Sequence, residues 1–415
     1  MRCVATSFGS AGDFFPTVAV AAAMKRAGHD VVLVANPFYE NVARKAGLDF
    51  VPVGRRIEVY EEVERNPRYL HPVHGIWSMW KDFGISVVTD TYYAMREAVR
   101  GADVVLASNI SFAGVWAAAE RGVPSVLTSP TPIAWPNPRA PMQLLDRALP
   151  EWMLPAAATA ARTIADAFVG HELSSLGRTL GVSARDASLA GTEAMVALHL
   201  GLWSPLMRPH TEGDPPSSVV CGFARAGSLG SADNELAPEI LAFLDAGEPP
   251  VVVGLGSVFS MGAGELLTDV ALACEKLGRR CLIVGHPAAT ARFAGDTLAV
   301  KYAPYHLVFP RAAAVVVHAG AGTTAEALRA GRPVLALPFA YDQFGVAWQV
   351  ERLGAGIKVS KSDRSPEALA KIIERALADE TMAQRAAELG ESLSAERDGA
   401  EVAAELIEGR ISADR

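Results

Sequence analysis

The stretch VVVHAGAGTTAEALRAG, residues 315–331, sets a histidine at the end of an apolar run and two threonines at the head of an alanine- and leucine-rich one. Small residues alternate with glycine between them, and Gly331 closes the segment. The pattern predicts a buried strand, a tight turn and a helix, the unit from which parallel sheets are built. Strands often end in a polar residue and helices often begin after glycine, so neither feature is informative alone. Their convergence is: His318, the Gly320–Gly322 turn, Thr323 and Thr324 all fall at one helix N-terminus. Unpaired backbone N–H groups and the positive end of the helix dipole make such a place an anion site. Glycine permits close backbone approach, and the imidazole adds a donor able to become cationic. The expected guest is a phosphate or diphosphate.

The same alternation recurs on both sides of this unit. Upstream lie the strand PPVVVGLGS, a helix near 264–278, and the strands RCLIVG, LAVKY and AAAVVVH. Downstream come the strand RPVLALP, the helix QFGVAWQVERLG and Ala/Glu-rich helices from Ser365. The N-terminal half has its own series: strand RCVATSF, turn GSAGD, a helix from Pro16 to about Gly28, and strand DVVLVA. A helix capped by Asn36 and stopped by Gly47, then DFVPV, DVVLAS, PSVLTS and AMVALHL, complete it. Each series reads as a doubly wound parallel sheet, so the fold expected is α/β with two such domains in tandem. At 415 residues the chain exceeds the roughly 250–300 that one core supports. The expected division is 1–221, a turn-rich linker at 222–248, a second domain at 249–390, and a C-terminal helix at 391–415 packing back toward the first.

Half the chain is hydrophobic and 20% is charged, as for a globular protein, and a net charge of −8 argues against a nucleic-acid partner. Four cysteines lie far apart without metal-binding spacing and read as reduced core thiols. The N-terminus lacks a signal-peptide pattern, and no window offers the ~18 apolar residues of a membrane span. A soluble cytoplasmic protein with no integral membrane segment is expected, with oligomeric state, a homodimer included, left open.

Open α/β sheets bind ligands beyond the carboxyl ends of their strands. GSAGD, GLGS (residues 254–257) and HAGAGTT all fall there. A dinucleotide site competes for the last, because Gly320-x-Gly322-x-x-Ala325 fits a GxGxxA fingerprint with Asp342 about 20 residues on. Against it, the motif comes several strands into its domain, a histidine precedes it, and Pro338 ends the next strand before Asp342. Two aromatic segments, HPVHGIWSMWKDFGISVVTDTYYAM and SPTPIAWPNPRAPMQLLDRALPEWMLP, are long for connections. Their Trp77, Trp80, Phe83 and Trp135 are candidates for the wall of an apolar substrate pocket, or else plugs in helix packing.

YAPYHLVFPRAAAVVVHAGAGTTAEALRAGRPVLALPFAYDQFGVAWQVERLGAG, residues 302–356, resembles the donor-binding region of family 1 glycosyltransferases of the GT-B fold. GSAGDFFP is similar to the opening loop of bacterial members, G-S-x-G-D-x-x-P, and NPRYLHPVHGIWSMW resembles macrolide glycosyltransferases and glycolipid rhamnosyltransferase subunits. The resemblance spans residues 1–130 and 218–360. It implies two Rossmann-like domains facing across a cleft, acceptor bound by the first and nucleotide sugar by the second. It places His318, Gly320, Gly322, Thr323 and Ser257 at the diphosphate, and Glu326 at the ribose hydroxyls. Tyr302 takes the position where many relatives stack tryptophan on the base, and Ala303 pairs with that base through its backbone. Asp342 and Gln343 match the pair that holds the donor sugar's hydroxyls. Glu326 read alone is also an ordinary first-turn glutamate, and Asp342 an ordinary helix cap.

Relatives commonly carry His-x-x-P after the first strand, with an aspartate orienting the histidine. This chain has Asp13-Phe14-Phe15-Pro16 there, and Ser108 and Asn109 where the orienting carboxylate would fall. Asp13 is then the candidate base, although a carboxylate near pKa 3.9 is weak toward an alcohol unless apolar surroundings such as Phe14 and Phe15 raise it. It serves equally well as a helix cap. No D-x-D and no His/Asp cluster suggests a metal, so no metal or other cofactor is expected, and the leaving diphosphate would rely on helix dipole, His318 and hydroxyls. The resemblance thus implies an inverting, metal-independent hexosyltransferase. It would move a hexose or deoxyhexose such as rhamnose from a dTDP- or UDP-sugar to a hydroxyl of an apolar small molecule (polyketide, aromatic natural product or lipid). A GT-B-fold sugar-nucleotide epimerase and a non-catalytic auxiliary subunit are the alternatives.

Overall fold

Every strand pairing in the computed structural model is parallel; the structure describes residues 1–71, 74–225, 229, 235–256, 264–285 and 295–413. Strands β1 (Arg2–Ser7), β2 (Asp30–Ala35), β3 (Asp49–Pro52), β4 (Val104–Ser108), β5 (Ser125–Ser129), β6 (Val196–Gly201) and β7 (Ser218–Val220) form one sheet, ordered β3-β2-β1-β4-β5-β6-β7. Strands β8 (Val251–Gly254), β9 (Cys281–Val284), β10 (Thr297–Val300), β11 (Ala314–Val317), β12 (Val334–Ala336) and β13 (Gly356–Lys358) form the other, ordered β10-β9-β8-β11-β12-β13. Most strands are buried along their whole length because helices cover both faces, which is why they read as continuous apolar runs rather than alternations. Strand order reverses beside β1 and beside β8, and there the loops leaving neighbouring strands diverge and open a crevice. The pairing Val317↔Gly254 ends β11 and β8 at one level, so the turn after each lies beside the other.

Helix α1 (Ala11–Arg26) begins well before Pro16, the start expected from the sequence. The reason is a capping box. The Asp13 carboxylate accepts the Ser10 N–H at 3.1 Å and the Ser10 hydroxyl at 3.0 Å, closing the first turn around the glycines. Pro16 lies inside the helix and forfeits one backbone bond there. The apolar run from Val18 to Met24 is buried on all sides, against the first sheet and against the C-terminal helix Gly399–Ala413. Ala400, Ala403, Ala404, Ile407 and Ile411 share one core with Val18, Ala21 and Met24, so the last helix of the chain belongs to the packing of the first domain.

The chain crosses between the sheets near 222–225 and returns near 396–399. The crossings touch: the Gly399 N–H donates to the Phe223 carbonyl at 3.0 Å, and a side chain at Gly399 would collide with the Gly222 carbonyl. Within the span read as linker, helix Pro238–Asp245 buries Ile240 and Leu244 in the second domain's core. The proline-rich aromatic segment resolves into 3-10 turns at Pro132–Ala134 and Glu151–Met153, followed by a helix of 26 residues, Leu154–Thr179. All four cysteines are free and buried. No helix among the described residues is long and apolar enough to cross a membrane.

The link between β6 and β7 is tied by an ion pair, Arg208–Asp214, whose side chains are 2% and 0% exposed. Asn137 Nδ2 also donates to Asp214 Oδ1 at 2.9 Å. Burial pushes the Asp214 carboxyl up, but hydrogen bonds from Arg208, Asn137 and the Thr211 backbone hold it below its ordinary value. That stability is present above the unfolded carboxyl value and is lost as pH falls through the folded one. Asp214→Ala strands a buried guanidinium and should cost about 3–5 kcal/mol in urea unfolding. A loss under 1 kcal/mol would show that water enters and solvates Arg208.

Candidate active site

His318 ends β11 and lies across the turn that ends β8. A side chain at Gly256 would come within 2.7 Å of its Cε1, and one at Gly320 would overlap its Nε2. Gly256 has φ +70°, and Ala319, a non-glycine residue, is held at φ 62° directly after the histidine. The glycine pattern of the motif is therefore in part a cradle for the imidazole. Holding Ala319 in the left-handed region costs about 1–3 kcal/mol, which the buried surroundings supply. Burial lowers the imidazole pKa to about 4, against a smaller opposing effect of a hydrogen bond with the Gly254 backbone. The ring is thus neutral at pH 7, not the ready cation the sequence suggests.

Gly320 is the N-cap of helix Ala321–Arg329 and has no side chain to cap it. The helix ladder starts with the Thr324 N–H donating to the Gly320 carbonyl at 2.9 Å, so the N–H groups of Ala321, Gly322 and Thr323 precede it. Among the described residues a side chain at Gly322 would meet nothing within 4 Å, and Gly322 itself is exposed. Thr324 is buried with its hydroxyl unpartnered among the described residues, and Thr323 is half-buried beside it. The N-terminus of α1 is the opposite case, because Asp13 already occupies it. One helix start carries its own carboxylate and the other is free to receive an anion.

The Asp13 charge acts on Asp342 across the domains. Burial raises the Asp342 carboxyl to about 7, the Asp13 charge pushes it the same way, and its own backbone and the Thr131 hydroxyl partly offset both. Thr131 Oγ1 is buried without a well-formed hydrogen bond among the described residues, so its effect is that of a dipole beside a charge. Burial also raises Asp13, more than the Ser10 hydrogen bonds lower it. Gly9 lies beneath, where a side chain would sit 2.6 Å from Asp13 Oδ2. Phe14 is sealed in the core, stacked on Tyr39 at 3.7 Å between centroids, and Phe15 meets it edge-to-face. Asn109, at the end of β4, has a buried Oδ1 with no partner among the described residues. Ser108 is committed to Ser111, with their hydroxyl oxygens 2.7 Å apart.

The remaining candidates divide. Gln343 is buried, and its Oε1 accepts the N–H groups of Phe339 at 2.8 Å and Ala340 at 3.2 Å, so one end of the amide braces the loop. Glu326 is paired with Arg329 at 2.6 Å, both half-buried. Tyr302 presents an exposed ring after β10, with Ala303 buried behind it. Ser257 lies outside the described residues. The four aromatic candidates are not brought to one surface. Trp135 is buried edge-to-face against Trp203 at 4.6 Å in the second domain's core, and its indole N–H donates to Ser129, so it is a packing residue. Phe83 is buried between Phe8 and Tyr69, behind the turn that leads from β1 into α1. Trp80 packs half-buried on the first domain's core, and Trp77 is exposed under the Lys81 ammonium at 3.8 Å. Thr131 and Tyr341 join the site without a signal in the sequence, since no motif marks either. Among the described residues no group of His, Cys, Asp or Glu is arranged to hold a metal ion.

Two doubly wound parallel-sheet domains in tandem are the architecture of the GT-B class. Comparison with known proteins makes the class definite. Residues 3–128 match the glycosyltransferase family 28 N-terminal domain, and residues 282–408 match the erythromycin biosynthesis protein CIII-like C-terminal domain. The chain is 30% identical over 428 residues to O-mycaminosyltylonolide 6-deoxyallosyltransferase of Streptomyces fradiae, covering 98% of this chain and 97% of that protein. It is 28% identical over 432 residues to the vancomycin aglycone glucosyltransferase of Amycolatopsis orientalis, covering 100% and 99%. The crystal structure of glycosyltransferase VinC in complex with dTDP shares its fold, with a TM-score of 0.70 at 21% identity and 100% of both chains covered. The chain is a glycosyltransferase and belongs to the family 1 natural-product glycosyltransferases of the GT-B fold.

A buried neutral imidazole lowers stability as it is forced to charge, so His318 contributes stability present above the ordinary histidine value and lost as pH falls toward about 4. In the unliganded protein its ring resonances, assigned by loss in His318→Gln, should titrate near pH 4. Saturating dTDP should move that midpoint upward, since a nearby anion favours the imidazolium. A midpoint above 6 without ligand would mean that the ring is solvated and the cradle open.

Proposed function

We propose that the chain transfers a hexose or deoxyhexose from a dTDP- or UDP-sugar to a hydroxyl of an apolar small molecule, with inversion and without a metal. One observation carries this reading: the charge of Asp13, which closes the N-terminus of α1, reaches Asp342 in the other domain, the domain whose helix Ala321–Arg329 begins without a side-chain cap. The diphosphate takes the open helix end. The free N–H groups, the hydroxyls of Thr323 and Thr324 and the His318 ring then stabilise the charge that develops as the glycosyl bond breaks. Tyr302 offers its exposed face to the base, and Glu326 keeps acceptor capacity for ribose beyond its pairing with Arg329. Asp342 and the free end of the Gln343 amide hold sugar hydroxyls.

On the other side, Asp13 takes the proton of the acceptor hydroxyl as that oxygen attacks the anomeric carbon and the nucleoside diphosphate leaves. The raised carboxyl is a better base than an ordinary aspartate, and the attack from the face opposite the leaving group inverts the centre. The segment 74–84, with exposed Trp77 and half-buried Trp80, would offer an aromatic surface to an apolar acceptor. The names of the relatives agree, one being a deoxyallosyltransferase and one acting on a glycopeptide aglycone.

Asp13→Asn keeps shape and donor affinity and should lower the transfer rate about 10²–10⁴-fold, the worth of a positioned base. A phenolic acceptor, easier to ionise, should lose less than an aliphatic alcohol. Wild-type turnover by a stably folded Asp13→Asn variant would refute the assignment. Transfer should also persist in excess EDTA, and a loss restored by magnesium or manganese would refute the metal-free mechanism.

A further inference from the structure

Asp342 sits between two residues that are pinned in opposite directions. On its C-terminal side Gln343 braces the loop of its own domain through the N–H groups of Phe339 and Ala340. On its N-terminal side Tyr341 sends its phenol hydroxyl across the cleft to donate to the Tyr69 carbonyl of the first domain. The socket is shaped for it. A side chain at Gly75 would come within 2.6 Å of the Tyr341 oxygen and would collide with the Tyr69 carbonyl. Tyr69 is itself fixed, its ring buried against Phe83 and its hydroxyl donating to Asp82 at 2.6 Å. To reach the socket Tyr341 adopts φ 57°, a left-handed backbone that a bulky residue keeps only when its surroundings enforce it.

We propose that Tyr341 is a positioning residue: its hydrogen bond to Tyr69 couples apposition of the domains to the placement of Asp342 for the donor sugar. With the hydroxyl seated in the Tyr69–Gly75 socket, the strained backbone at 341 presents the next residue toward Asp13. The opposed carboxylates push the domains apart, and the pin works against that repulsion. A sugar hydroxyl inserted beside Asp342 would relieve it, so the nucleotide alone gains little from the pin and the sugar gains most. This rests on the assignment of Asp342 to the donor sugar.

The test is Tyr341→Phe in the full chain, which removes one hydroxyl and keeps ring and backbone. Amide hydrogen exchange without ligand should quicken together in residues 66–71, 74–84 and 338–343. In calorimetry the Kd for dTDP should stay within about twofold, while that for dTDP-glucose rises about 3- to 10-fold, the worth of one hydrogen bond. Gly75→Ala, which fills the socket, should also quicken exchange in 338–343 on the opposite domain. Quickening confined to 338–343 in Tyr341→Phe, unchanged exchange there in Gly75→Ala, or equal weakening of dTDP and dTDP-glucose would overturn the proposal. Failure of the underlying assignment would show separately, as wild-type dTDP-glucose affinity in Asp342→Asn, and the exchange result would still decide whether the pin exists.

Discussion

The imidazole of His318 can lie across the ends of β8 and β11 only because positions 256 and 320 carry no side chains. That single steric condition organises the second domain's half of the site. It forces the turn after β8 into a left-handed glycine and puts Ala319 in the same strained region. It also leaves the next helix with a glycine N-cap that cannot satisfy its own first turn. An uncapped helix start ordinarily costs stability. Here the unsatisfied N–H groups are what an anionic ligand would use, so the local defect and the proposed binding function have one origin.

The first domain solves the equivalent problem the other way. Its glycine loop after β1 also runs into a helix, but Ser10 and Asp13 close the start of α1 from within. Asp13 therefore has a structural duty beside the chemical one proposed for it, since its carboxylate holds the turn that aims it. Packing buries both carboxyls and burial raises each of them, while the Asp13 charge adds to the rise of Asp342. For Asp342 the consequence runs opposite to that for Asp214: the contribution to stability is present below the unfolded carboxyl value and is lost as pH rises through about 7. The buried Asp342 is then accommodated best in mild acid, where it holds its proton.

Much of this architecture was legible in the sequence because parallel strands buried on both faces advertise themselves as apolar runs, and their helices end at glycines such as Gly28 and Gly47 with φ +89° and +72°. The turn from His318 into an uncapped helix was legible too, because glycine, histidine and threonine there answer to local geometry. What misled was residue type without context. Pro16 looked like a helix start, yet the capping box at Ser10 and Asp13 sets the boundary earlier. Trp135 looked like a pocket wall, yet it fills the core beside Trp203, since a large aromatic buries equally well in either place. The helix Leu154–Thr179 was hidden behind prolines that end at Pro155, inside its first turn. Thr131 and Tyr341 gave no signal because their roles depend on contacts between domains, with Tyr341 reaching a partner 272 positions away.

The direct measurement is a crystal structure with dTDP bound. The account predicts the β-phosphate at the start of Ala321–Arg329, within hydrogen-bond distance of the Gly322 and Thr323 N–H groups and the Thr324 hydroxyl, on the side of the cleft facing Asp13. A phosphate bound instead at the glycine loop of residues 9–12, with Asp13 displaced from Ser10, would contradict it.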